Sequence, residues 1–377
     1  MRVLLTVNAA WNIWNFRRDL VASLVGDGHA VTILAPPDDT VPLLEALGAR
    51  FVPLPMKPDG LGPLEGLRLV MEMGRAIRRI APDLVLSYTI KNNVAAGIAT
   101  ARQGVAFVPN VTGLGTAFLS SGVMQRVARG LCRVAFRHAL AVFFQNPDDR
   151  EQFVRGGLVG DSVARVIPGS GVDLQHFQEA PPPPDEEAPL FLMVSRLAAD
   201  KGVREFAGAA RAVKERHPQA RFVILGDPHP SNRTAIPGSE LDAWLRDGIL
   251  EHQDPVGDVR PVLASAHCVV LPSYREGLPR ALLEAAAMGR PVITTDVPGC
   301  REVLEDGRSG FLCEVRSASS LAAAIERCLG LSADERAAMG AAGRRLVEDR
   351  FSVERVVEAY RDVVRTVASH SDPLRPS

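Results

Sequence analysis

Two carboxylates and two cations stand where they could handle one anionic, hydroxyl-rich ligand. In "YREGLPRALLEAAAMGRPVIT" (residues 274–294), Glu276 and Glu284 have seven mostly apolar or small residues between them, Pro279 included. In "FLMVSRLAADKGVREF", Arg196 and Lys201 come just before Gly202. A carboxylate accepts paired hydroxyl hydrogens well. A planar guanidinium fork and a movable lysine charge can together grip a phosphate or diphosphate. Each feature also has an ordinary alternative. Glu276 and Glu284 could be a capping residue and an exposed helix residue, and Arg196 and Lys201 two solvated loop cations.

The chain around these residues says how they would be positioned. Short apolar runs alternate with helical patterns throughout. Strand-like runs fall at Val3–Val7, Val31–Ala35, Leu84–Tyr88 and Val105–Val108, then at Leu190–Ser195, Arg221–Leu225, Cys268–Pro272 and Pro291–Thr295. Most are unbroken, as parallel strands covered on both faces should be. Amphipathic stretches such as Phe16–Gly26 and Val203–His217 lie between them. The fold class is therefore α/β, with two parallel-sheet units. Arg196 and Lys201 follow a strand and precede a helix opening near Val203. Glu276 follows the strand "CVVLPS", and Glu284 lies inside the helix "RALLEAAAMG", which Gly289 can close with a left-handed cap. Open α/β sheets bind ligands at that carboxyl edge, where helix N-termini favour anions.

Bulk properties bound the rest. At 377 residues, two domains are the default. Four consecutive prolines in "EAPPPPDEEAP" read as a stiff linker. The expected division is residues 1–178, a linker at 179–189, residues 190–351, and a C-terminal helix with tail at 352–377 that packs back on the first domain. Ser332 with Glu335 makes a capping-box pattern. The formal net charge of −1 argues against a nucleic-acid partner. Five scattered cysteines form no C-x-x-C and read as ordinary thiols of a reducing compartment. The N-terminal stretch reads as a buried first strand rather than a signal peptide, and no run of about 18 apolar residues is present.

Taken together, Ser195, Arg196, Lys201 and Gly202, then "VILGDP", the glutamate pair and "GCREVLEDGRSGFL" resemble the retaining glycosyltransferases of family 4. The likeness extends over roughly residues 1–365. It implies the GT-B fold, two facing Rossmann-like domains with a cleft between them, and a nucleotide-sugar co-substrate rather than a cofactor. By that resemblance Arg196 and Lys201 bind the donor diphosphate, and Glu276, with main-chain groups of Gly277, Leu278 and Pro279, contacts the donor sugar. Glu284 then holds the ribose hydroxyls. Uridine is the implied base, with Val256 in a base-side loop. Arg196, Lys201 and Glu276 are the catalytic candidates. No D-x-D occurs, so no metal clamp is expected.

In the first half, "NAAWNIWNFRR" stands where the family carries a glycine-rich loop. Ala9 and Ala10 are small enough for a diphosphate to approach, but they make no G-x-G-x-x-G motif, which counts against a nicotinamide enzyme. "YTIKNN" and "PNVTGLGTAF" resemble the subgroup that extends polyprenyl-diphosphate-linked sugars, the N-acetylgalactosaminyltransferase-like enzymes of bacterial glycan assembly. Asn15, Lys91, Asn92, Thr112, Gly113 and Gly115 are the acceptor-side candidates, and each could equally be a turn or cap residue. The implied activity moves a hexosamine-type sugar from a UDP-sugar to a lipid-linked saccharide. A nucleotide-sugar epimerase and a transferase for a soluble acceptor are the alternatives.

Charge distribution bears on the acceptor independently. From Leu84 to Pro147 there is no Asp or Glu. Arg126, Arg129, Arg133 and Arg137 fall on one narrow helical stripe. A basic amphipathic helix of this kind can lie on an anionic membrane, or it can be a solvated face over a domain core. The expected location is cytoplasmic, at the inner face of the plasma membrane.

Overall fold

The computed structural model describes residues 1–56, 62–113, 122–184, 186–228 and 234–370. Two compact units emerge, residues 1–170 with 353–377, and residues 171–352. The first runs β1 (Arg2–Thr6), α1 (Ala10–Gly26), β2 (Ala30–Ala35), α2 (Val41–Ala46), β3 (Arg50–Pro53), α3 (Pro63–Ile80), β4 (Leu84–Tyr88), α4 (Ile90–Ala101), β5 (Ala106–Val111), α5 (Val123–Phe136), β6 (Val142–Phe144), α6 (Pro147–Arg155) and β7 (Ala164–Val166). Its seven strands are parallel in the order β3-β2-β1-β4-β5-β6-β7. Strand alternation sends Val3 and Leu5 to one face, among residues of α1, and Leu4 to the other, among residues of α3, α4 and α5. Both faces are covered, which is why these strands read as unbroken apolar runs.

The second unit runs β8 (Leu190–Val194), α7 (Val203–Lys214), β9 (Arg221–Leu225), α8 (Gly238–Arg246), β10 (Glu251–Gln253), α9 (Arg260–Ser265), β11 (Cys268–Leu271), α10 (Arg280–Ala287), β12 (Val292–Thr295), β13 (Gly310–Cys313), α11 (Ala318–Leu329) and α12 (Ala333–Arg350). Its six parallel strands follow the order β10-β9-β8-β11-β12-β13. The capping box at Ser332 and Glu335 is formed at the start of α12. All five cysteines are buried and unbridged.

The chain divides elsewhere than at its prolines. It crosses after Ser170 and after Ser352, and Val172 N–H donates to the Phe351 carbonyl at 2.9 Å. Residues 179–189, expected as the linker, lie within the second unit. The buried Arg290 guanidinium donates there to the carbonyls of Ala180 and Pro181. Stiffness without N–H donors makes this segment a strap, and an arginine supplies the donors its carbonyls need. The last helix, α13 (Val353–His370), belongs to the first unit. Asn110 Nδ2 donates to its Tyr360 hydroxyl at 2.9 Å, and Arg361 forks onto Asp27 at 2.7 and 2.8 Å.

Candidate functional site

In the second unit β8 and β11 are neighbours, yet the chain leaves them toward opposite edges of the sheet. The strand order reverses between them, and such a switch point opens a crevice outside the carboxyl ends. Arg196 and Lys201 leave from β8, and Glu276 leaves from β11. Topology therefore brings together residues 75 apart in the chain.

The two loops are knitted to each other. Gly202 has φ +78°, and a Cβ there would stand 2.1 Å from the Pro272 carbonyl oxygen. Tyr274 N–H donates to the Asp200 carbonyl at 2.9 Å. Lys201 Nζ, from the turn Ala199–Lys201, donates to Glu276 Oε1. Ser273 Oγ donates to the same oxygen at 2.7 Å, and Glu276 N–H to the Pro298 carbonyl at 3.2 Å. The side chains of Lys201 and Glu276 are 17% and 14% exposed, so water screens the pair weakly and each charge strongly constrains the other. Alanine at 202 must both adopt a left-handed φ and push Pro272 away. The first alone costs about 1–2 kcal/mol. Gly202→Ala is therefore expected to lower the urea midpoint of the protein and to weaken nucleotide binding together. A variant with both unchanged would show that the loops do not depend on this contact.

Tyr274, two residues before Glu276, is itself held. Tyr274 hydroxyl donates to Glu205 Oε1 at 2.8 Å, while the Arg316 guanidinium lies 4.7 Å from its ring centroid. Burial, then the hydrogen bond to Glu205, pushes the Tyr274 hydroxyl up to about 12. Burial, and then the Glu276 charge, pushes the fully buried Cys300 thiol up to about 12. Cys300 is thus a protonated filler beside the site, not a nucleophile.

Glu284 lies on α10, one turn beyond its start, where Arg280 Nε donates to Glu284 Oε1 at 2.6 Å. The first turn of α10 carries neither a capping side chain nor an acidic residue. Gly277 and Pro279 are buried and Leu278 half-buried, leaving main chain as what the loop can present. The Arg196 side chain is exposed and, among the described residues, has no ion-pair partner. Val256 lies just beyond β10, two strands from β8 at the edge of the sheet.

Sequence reasoning did not single out Ser273, Tyr274 or Arg280. Arg280 was legible in principle, since i,i+4 charges meet on a helix. Ser273 and Tyr274 become visible only once the two loops are adjacent.

The first unit has its own switch point, between β1 and β4. Ala9 is the extended residue preceding α1, and Ala10 is fully buried. Lys91 is half-buried in the first turn of α4. Asn92 is fully buried and donates to Thr6 Oγ1 at 3.1 Å. It braces α4 against β1 and does not line a surface, because an amide next to β1 in the core needs a partner there. Asn15 Nδ2 donates to the Trp11 carbonyl at 3.0 Å. Thr112 and Gly113 follow β5, and Gly115 lies outside the described residues.

On α5, Arg126 and Arg133 are exposed and Arg129 half-buried, and Arg137, just past its end, is exposed. Arg133 donates to the carbonyls of Gly157 and Gly156 at 2.9 and 3.2 Å, so part of the basic stripe holds its own unit together. The buried face is Cys132, Ala135 and Phe136. Val127, Leu131 and Val134 face outward, 55%, 44% and 59% exposed. No helix among the described residues is long and apolar enough to cross a membrane.

Comparison with known proteins follows the same division. Residues 13–169 match the glycosyl transferase 4-like domain, and residues 188–330 match glycosyl transferases group 1. The chain is 24% identical over 345 residues to the N,N'-diacetylbacillosaminyl-diphospho-undecaprenol alpha-1,3-N-acetylgalactosaminyltransferase of Campylobacter jejuni, covering 87% of this chain and 89% of that one. It is 27% identical over 299 residues to the UDP-Gal:alpha-D-GlcNAc-diphosphoundecaprenol alpha-1,3-galactosyltransferase of Escherichia coli, covering 75% of each. Among solved structures, the Anabaena protein HepE in complex with UDP and glucose superposes with a TM-score of 0.79 at 18% identity, over 97% of this chain and all of that one. At that identity the likeness speaks for the fold.

Proposed function

Starting from a chain that belongs to the glycosyltransferases, with a 4-like first domain and a group 1 second domain, we propose that it transfers a hexosamine-type sugar from a UDP-sugar to a polyprenyl-diphosphate-linked saccharide, with retention. The observation that carries the reading is the Lys201–Glu276 pair at the β8/β11 switch point, with Arg196 exposed in the same loop after β8. Lys201 and Arg196 neutralise the diphosphate as it leaves, aided by backbone N–H groups at the start of α10. Glu276 faces the donor sugar, and Glu284 takes the ribose hydroxyls. The acceptor hydroxyl approaches the anomeric carbon from the leaving-group side, and the departing phosphate oxygen takes its proton. No protein base and no metal is asked for.

The two relatives named above act, by their names, on undecaprenol-diphosphate sugars. That supports a lipid-linked acceptor. A panel of UDP-sugars against synthetic polyprenyl-diphosphate saccharides, read by mass spectrometry, tests both substrates. Sugar transfer that requires the lipid-linked acceptor is the expected result. UDP release or donor isomerisation indifferent to acceptor would point to an epimerase or hydrolase instead.

The same reading puts α5 against an anionic membrane, with Val127, Leu131 and Val134 entering the interface and Arg126 and Arg137 meeting head groups. Each exposed aliphatic side chain is worth about 1 kcal/mol or more on burial. The V127S/L131S/V134S variant should therefore lose at least about tenfold in partitioning onto phosphatidylglycerol vesicles by flotation, with its melting temperature unchanged. Equal flotation of variant and wild type would remove α5 from the membrane.

A further inference from the structure

Each candidate donor carboxylate is held by a cation. Lys201 serves Glu276, and Arg280 serves Glu284. The second match is the unexpected one, because local rules oppose it. A cation in the first turn of a helix opposes the helix dipole. Arg before Glu at i,i+4 is also the less favourable order. No acidic residue in that turn offsets Arg280. The pair is nonetheless mostly withdrawn from water, with side chains 20% and 12% exposed, so its attraction is little screened. Local disagreement of this kind collects at functional sites.

We propose that Arg280 is a positioning residue of the donor site, holding Glu284 in place for the ribose hydroxyls and cancelling its charge against the incoming diphosphate. The inference rests on the reading of Glu284 given under Proposed function. Without Arg280, Glu284 would lose a cationic partner while staying poorly solvated, in a site meant for a polyanion. It would turn toward other donors, such as the nearby helix N-terminus, and its aim at the ribose would be lost. Lysine can restore the charge but not the planar fork.

The test is the preference for UDP over 2′-deoxy-UDP, measured by calorimetry for wild type, Arg280→Gln, Arg280→Lys and Glu284→Gln. Sites built around a hydroxyl reject the analogue lacking it, so wild type should favour UDP by at least about tenfold. Arg280→Gln and Glu284→Gln should bring the ratio within about twofold, and Arg280→Lys, which keeps the charge without the planar fork, should fall between them and wild type. General damage to the unit would weaken both nucleotides alike and leave the ratio standing. A wild-type ratio that survives Arg280→Gln intact overturns the role of Arg280 while leaving that of Glu284. A wild type that binds both nucleotides equally instead removes the ribose role of Glu284, and the inference falls with it.

Discussion

Glu276→Gln should lower kcat by about 10²–10³-fold, the usual cost of removing one well-placed electrostatic partner of a transition state, while UDP affinity stays level or tightens. The two halves of this result have different causes. As the glycosidic bond breaks, the sugar ring gains positive character, and a fixed carboxylate stabilises it more than it stabilises the ground state. Glu276 is fixed: Lys201 Nζ and Ser273 Oγ both donate to its Oε1, and its own N–H is bonded to Pro298. Glutamine keeps the shape and removes the charge. UDP, however, lacks the sugar and competes with Glu276 for Lys201, so releasing Lys201 cannot weaken it. Initial rates and calorimetry on one preparation separate the effects. A rate within about threefold of wild type, under 1 kcal/mol of barrier, would take Glu276 out of the reaction.

Removing the cations should cost more. For Arg196→Ala/Lys201→Ala, kcat/KM is expected to fall by about 10³–10⁴-fold and UDP to bind at least about tenfold more weakly, since two charge-assisted contacts to a polyanion are lost. The single variants should be unequal. Arg196 is exposed, whereas loss of Lys201 takes a cation from Glu276, a carboxylate only 14% exposed. Lys201→Ala should therefore be the more severe, and adding Glu276→Gln to it should restore part of the UDP affinity. That recovery is a non-additivity expected only of groups in direct contact. Strictly additive losses would mean that the Lys201–Glu276 pair has no part in nucleotide binding.

Much of this arrangement was legible in the chain. The five- and six-residue strands, such as Leu84–Tyr88 and Arg221–Leu225, were legible because burial on both faces leaves few polar interruptions, whereas the four-residue β3 (Arg50–Pro53) and β13 (Gly310–Cys313) were not. β10 (Glu251–Gln253) was missed because its three residues carry two polar side chains and a charge at the sheet's edge, and β6 (Val142–Phe144) because it is only three residues long. The proline run misled about the division, since rigidity marks a segment that holds its shape and says nothing of what it packs on. Asn92 stands among the acceptor-side candidates because sequence cannot show that its amide donates to Thr6, 86 positions away. In the candidate site, the motif residues were legible, and the partners that hold them were less so. Ser273 and Tyr274 act through contacts across loops, whereas the Arg280–Glu284 spacing on one helix was open to reading.

The proposed mechanism depends most on Arg196 and Lys201 neutralising the diphosphate at the β8/β11 switch point. A crystal structure of the protein with UDP tests it most directly. Lys201 Nζ should turn from Glu276 to a phosphate oxygen at about 2.8 Å, with the Arg196 guanidinium on the same diphosphate. Lys201 still on Glu276, with both phosphorus atoms bound elsewhere and Arg196 in solvent, would contradict it.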